Sequence, residues 1–113
     1  MLKNELFWAC AFASSALGAV PAEASSADSG YASRILTTTD GRAYFEHDGT
    51  RSARPACATM TRWVIDTTTP TGQAMLANLL SAHARHAKIY LSGAGNCGLW
   101  ADSETVAGII TAD

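Results

Sequence analysis

The sequence predicts a mainly β domain of five strands, with one helix between the third and the fourth. Three observations carry this reading. Residues 34–66 hold three alternating, β-rich runs, punctuated by Asp40-Gly41 and by His47-Asp48-Gly49-Thr50. Residues 67–87 hold the one convincing helical periodicity. Two further β-rich runs, 88–93 and 104–113, follow it.

The first strand runs from Arg34 to Thr39. Asp40-Gly41 then predicts a type I′ hairpin, because both central residues of that turn need φ > 0. The return strand, 42–46, puts Ala43 and Phe45 on one face and Tyr44 and Glu46 on the other. Residues 47–50 form a second turn, and Arg51 to Pro55 a loop. The third strand is best defined from Thr61 to Asp66. Thr61, Trp63 and Ile65 share one face; Arg62, Val64 and Asp66 share the other. Trp63, in mid-strand, is expected in the core. Thr69 or Thr71 caps the helix, and Pro70 suits its first position. Met75, Leu76, Leu79 and Leu80 recur at helical spacing, continued by His83 or Ala84 and by Ala87. The fourth strand puts Ile89 and Leu91 on one face, and in the fifth Gly108 marks a bulge or a close backbone approach. The order β-β-β-α-β-β is that of a small, strongly bent OB-like barrel. An α+β sandwich with an open antiparallel sheet and the same helix on one face fits it too.

Ahead of this domain, residues 1–24 read as a cleaved signal peptide. Lys3 lies near the start, an apolar run extends from Leu6 to Val20, and Ala22-Glu23-Ala24 supplies the small-residue cleavage pattern. A membrane anchor needs a span of roughly 20 residues, and this run is shorter. Cys10 sits inside the run without the small-residue pattern of a lipoprotein acceptor. Residues 25–33 are small and polar and read as a flexible lead-in. The OB-like domain is then 34–113.

The chain carries 8 basic and 10 acidic side chains, a net charge of −2. Losing Lys3, Glu5 and Glu23 with the leader leaves 7 and 8, a net near −1. That balance argues against nucleic acid as a partner. Arg42, Arg51, Arg54 and Arg62 form a mild local excess, which a solvated strand face or loop accounts for. Cleavage also removes Cys10 and leaves Cys57 and Cys97. An even count in a small exported domain reads as a disulfide. The loop it closes spans about 40 residues, worth on the order of 4 kcal/mol in the chain-entropy picture. Free thiols or half a zinc site are the alternatives, and there is no C-x-x-C pair. The expected location is secreted or periplasmic.

The stretch from Arg54 to Ile109 resembles a widespread group of small exported bacterial proteins. The shared features are Pro55-Ala56-Cys57-Ala58-Thr59, then Trp63, then Thr71-Gly72 to Ala82, then Gly93 to Glu104 with Cys97, Trp100 and Asp102 between. That group is in turn remotely similar to the B subunits of bacterial AB5 toxins, the subtilase cytotoxin B subunit in particular. The resemblance implies an OB-fold, a pentameric ring and binding of cell-surface glycans. It transfers no sugar-contacting residue to this chain.

Gly93-Ala94-Gly95 follows a strand, as a phosphate loop would, but no capped helix and no G-K-[ST] follow, so a tight turn fits better. A nucleophilic Cys97 would need a base such as His47, His83 or His86, but pairing with Cys57 is the simpler fate. His83 and His86 stand three residues apart and could share a metal with His47. Decoration of the helix C-terminus explains them as well, and no metal site is expected. Asp66, Asp102 and Glu104 could be imagined as a paired-carboxylate hydrolase site, but nothing fixes their separation. Trp100, Asp102 and Glu104 form the best candidate ligand patch, because an indole stacks on a sugar face and carboxylates hold hydroxyls. Trp100 packing over the barrel end is the competing role. The expected function is a non-enzymatic binding module without cofactor. Its partner would be a glycan or a protein, with a homo-oligomer as one expected assembly. A structural or inhibitory envelope protein is the alternative.

Overall fold

The computed structural model describes residues 25–112. The expected signal peptide, with Cys10, lies outside the described residues. The described chain forms β1 (Ser26–Gly30), β2 (Ala32–Thr37), β3 (Arg42–His47), β4 (Arg51–Ser52) and β5 (Trp63–Asp66). These are followed by α1 (Pro70–Ala84), β6 (Ile89–Gly93) and β7 (Glu104–Thr111). All seven strands join one mixed sheet in the order β2-β3-β5-β7-β6-β1-β4. β5 and β7 are parallel; the other pairs are antiparallel.

The expected five-stranded barrel in the order β-β-β-α-β-β is therefore corrected to seven strands in one mixed sheet that does not close. Residues 25–33, expected as a flexible lead-in, are β1 and the start of β2. Ser25 and Ala27 are buried there, and Ser25 O accepts from Gly93 N at 2.7 Å. The inward positions carry serine, alanine and glycine, so a buried strand gives no apolar periodicity to read. Arg51 and Ser52, expected in a loop, pair with β1 as β4. Tyr31 alone separates β1 from β2, and the turn after β3 secures that corner. Tyr31 N–H donates to Asp48 Oδ1 at 2.6 Å, and Asp48 N–H donates to Tyr31 O at 3.2 Å.

The β2–β3 hairpin is not type I′. Gly41 has φ +86°, but Asp40 is not among the positive-φ residues. Gly41 N–H donates to Thr38 O at 3.3 Å, and Thr38 N–H donates to Arg42 O at 2.9 Å. This is the three-residue loop with glycine in the left-handed position, which needs only one positive φ.

Thr69 caps α1, its hydroxyl oxygen accepting from Gly72 N–H at 3.0 Å, with Pro70 at the first helical position. The helix ends with His86 in the left-handed region at φ +52°. His86 N–H donates to His83 O and Ala87 N–H to Ala82 O, the paired bonds of a Schellman ending. Leu79 and Ala82 are buried, and Met75 and Leu76 pack against the core. Leu80, expected on this face, is exposed instead, because the buried stripe continues through Ala82.

The core lies between one face of the sheet and α1. β3 contributes Ala43 and Phe45, β5 contributes Trp63 and Ile65, and β6 contributes Ile89 and Leu91. Trp63 is 1 % exposed, which settles it in the core. Each large side chain buried here contributes roughly 1.5–3 kcal/mol. The register slips in three places, in the β1–β6, β2–β3 and β6–β7 pairs. Such bulges bend strands and increase their twist.

Candidate functional site

The opposite faces of β3 and β5 build a second environment. Tyr44 and Val64 stand opposite each other in register and are both buried, yet neither belongs to the core cluster. Arg62 lies over the Tyr44 ring at 5.2 Å, and Trp100 meets that ring edge-on at 5.7 Å. Two loops, 53–62 and 94–103, supply these groups. Cys57–Cys97 joins them as a disulfide, and Met60 N–H donates to Asp102 O at 3.0 Å.

The loop around Trp100 is held at many points. Arg42 Nε donates to Leu99 O at 2.8 Å. Arg62 Nε donates to Ser103 Oγ at 3.1 Å, and Ser103 Oγ donates to Asp102 Oδ1 at 2.9 Å. Arg62 also approaches Asp102 Oδ1 at 3.6 Å. Trp100 is thus a 42 % exposed indole on a fixed mount.

The structure does not bring Trp100, Asp102 and Glu104 together as one surface patch. Asp102 is partly exposed beside Arg62, but Glu104 is fully buried. Its Oε1 accepts from the Ser25 hydroxyl and from Arg51 Nη2, the latter at 2.8 Å, and its Oε2 accepts from Gly95 N–H at 2.9 Å. Arg51 in turn lies 4.0 Å over the Trp63 ring. Gly93 permits the close approach, since a Cβ there would stand 2.2 Å from Glu104 Oε2. Glu104 therefore anchors the Gly-rich turn to β1 and β4, and its correction follows from strand alternation: Glu104 and Val106 face inward together. Gly95, at φ +79°, and Gly93 serve this anchor and the turn.

A concave site of about 380 Å³ opens on the same side of the sheet, lined by Arg34, Leu36, Tyr44, Glu46, Met60 and Arg62. Leu36 and Met60 are exposed within it. Glu46 Oε1 accepts from Thr61 Oγ1 at 2.7 Å. Sequence reasoning placed Tyr44 and Glu46 on one face but did not gather this site. One signal was present: Arg34 falls two residues after the inward Ala32, where strict alternation would bury a charge.

The remaining candidates are dispersed. His83 Nδ1 lies 3.1 Å from Ala32 O, whereas His86 stacks on Tyr31 at 4.3 Å. His47 Nε2 lies 2.9 Å from Ile89 O. Each ring is engaged at a different place, and among the described residues no three His, Cys, Asp or Glu side chains converge as a metal site. Asp66 accepts from the Thr68 hydroxyl and N–H at 2.6 and 2.9 Å. These bonds, with a smaller pull from Arg42, hold its carboxyl below the usual aspartate range. No described helix is long and apolar enough to cross a membrane. Compared with protein-family models, curated proteins and solved structures, the chain matches none.

Proposed function

We propose that the chain is an exported, non-enzymatic module that binds a glycan on the outer face of β3 and β5. The observation that carries this is Trp100: an exposed indole, edge-on to Tyr44, beside a concave site lined by apolar and charged groups. Aromatic faces with a few fixed polar groups are the recurrent composition of ligand sites. The obvious reactive groups are committed to structure, Cys97 to the disulfide and Glu104 to Arg51. The disulfide is compatible with a secreted or periplasmic location.

The connectivity supports an OB-like barrel. β1 and β2 act as one strand bent at Tyr31, with β1 on β6 and β2 on β3, so the chain links the two halves of the sheet. The parallel β5–β7 pair and the helix between β5 and β6 fit the same plan. On this reading the resemblance to small exported bacterial proteins, and remotely to AB5 toxin B subunits, extends to glycan binding and a ring. The function rests on the site, since one fold hosts many functions.

A glycan array probed with the exported, oxidised chain tests the proposal. Binding that disappears in Trp100→Ala, with the melting temperature shifted by only a few degrees, is the expected result. An array without a bound glycan refutes it. A second reading, an envelope protein acting through a protein interface, is favoured by Tyr90 and Ile110. These face each other across β6 and β7 and are 43 % and 59 % exposed. Light scattering coupled to size exclusion tests whether that face joins copies: loss of an oligomer in Ile110→Lys supports it.

A further inference from the structure

We propose that Arg34 is the specificity-determining residue of the concave site, and that it selects a glycan bearing a carboxylate on a hydroxyl-rich ring, a uronate. This rests on the glycan-binding reading of the same site and names its ligand class.

The argument begins with the backbone. Ser33 pairs with Glu46 and Leu36 with Tyr44, so Arg34 and Ile35 together oppose the single residue Phe45. This is a β-bulge of two residues against one. Without it, alternation from the buried Ala32 would direct Arg34 inward. With it, Ile35 packs against the core and Arg34 becomes exposed in the lining of the concave site. Arg34 takes φ +53° to do so. A non-glycine residue in the left-handed region is uncommon and costly, and such outliers gather at ligand sites. Glycine would satisfy the backbone there, yet the position carries the side chain best suited to grip a carboxylate with two parallel hydrogen bonds.

The charges of the site are divided in use. Arg62 is engaged with Ser103, Asp102 and the Tyr44 ring. Arg54 donates to Met60 O at 2.7 Å. Arg34 has neither hydrogen bond nor ion pair among the described residues and is the uncommitted cation. Across the same concavity, Glu46 accepts one hydroxyl hydrogen bond, from Thr61, and among the described residues no cation lies within ion-pair distance of it. A free guanidinium and a carboxylate that already accepts from a hydroxyl match a ring carrying one carboxylate and several hydroxyls. Leu36, Met60 and Trp100 provide apolar surface for such a ring.

The test uses matched oligosaccharides that differ in one group, uronate-terminated against hexose-terminated, titrated into the exported, oxidised chain. The uronate form is expected to bind about tenfold more tightly, as a charge-assisted hydrogen-bonded pair would give. Arg34→Gln should reduce that preference to less than twofold, by weakening the uronate form far more than the hexose form. Arg34→Lys should restore part of it, because one point charge replaces a fork. Arg34→Gly should abolish it while leaving the melting temperature unchanged or higher, separating recognition from folding. Equal binding of both sugars, with both weakened by Trp100→Ala, overturns the role of Arg34 and leaves the glycan site standing. A uronate preference that survives Arg34→Gln does the same. No binding of either sugar overturns the glycan site and the Arg34 assignment together.

Discussion

Tyr44 and Phe45 are neighbours in sequence and both are buried, yet they belong to different environments. Phe45 faces a core of aliphatic and aromatic side chains closed by α1, where packing alone decides the outcome. Tyr44 faces two irregular loops joined by Cys57–Cys97 and by arginines that reach backbone carbonyls and serine. The inner face is held mainly by non-directional burial, and its one buried carboxylate among the described residues, Glu104, is admitted through bonds to Ser25, Arg51 and Gly95. The outer face is held by a covalent staple and directional bonds, which can leave an indole and a guanidinium exposed at fixed positions. A sheet with one face of each kind can stay folded while presenting a site.

Breaking the inner face should have the largest effect. Phe45→Ala is expected to cost about 3–5 kcal/mol, read as a lower denaturant midpoint at constant slope. A much smaller loss would mean that the core is less tightly packed than its burial implies. Removing the staple comes next. Cys57→Ser with Cys97→Ser should cost up to about 4 kcal/mol from loop entropy. Hydrogen exchange sharpens the contrast: amides in 53–62 and 94–103 should lose protection before those of β3 and β5. Simultaneous loss would show that the two faces form one cooperative unit. Trp100→Ala, which deletes an exposed edge contact with Tyr44, should cost only about 1 kcal/mol while removing glycan binding.

The smallest expected effect is electrostatic. Asp66, at the end of β5, has its carboxyl held below the usual aspartate range by Thr68 and then Arg42. A lowered folded value means that the stabilisation is present above the unfolded value and is lost as pH falls through the folded one. The wild type should therefore lose this small increment in acid, below the normal aspartate range, and Asp66→Asn should not. Parallel melting curves for the two proteins against pH would contradict the assignment.

Much of the inner face was legible in the sequence. Ala43 and Phe45 in one strand, and Trp63 and Ile65 in another, alternate as buried positions must. Pro70 between two threonines marks the helix start by its own chemistry, and the structure chose Thr69 over Thr71 as the cap. The disulfide followed from the even cysteine count left when Cys10 is assigned to the expected leader. The rest of the fold has weak local signals. β1 is built from serine, alanine, aspartate and glycine, so it gives no apolar rhythm, although Ser25 and Ala27 are buried. β4 is two residues long and exists only because β1 lies beside it. Glu104 looked like a surface carboxylate because its buried partners, Ser25 and Arg51, are 79 and 53 residues away.

By itself, then, the sequence determined the periodic elements, the helix start and the pair of cysteines, because each depends on residues within a turn or on a count. Tertiary structure alone decided which face of β3 meets a core and which meets a loop, that Glu104 is an internal anchor, and that Arg34 turns outward. The physical reason is common to all three. A strand's side chains alternate, but which side is wet depends on what the rest of the chain lays against it. A single bulge reverses the assignment of every residue beyond it.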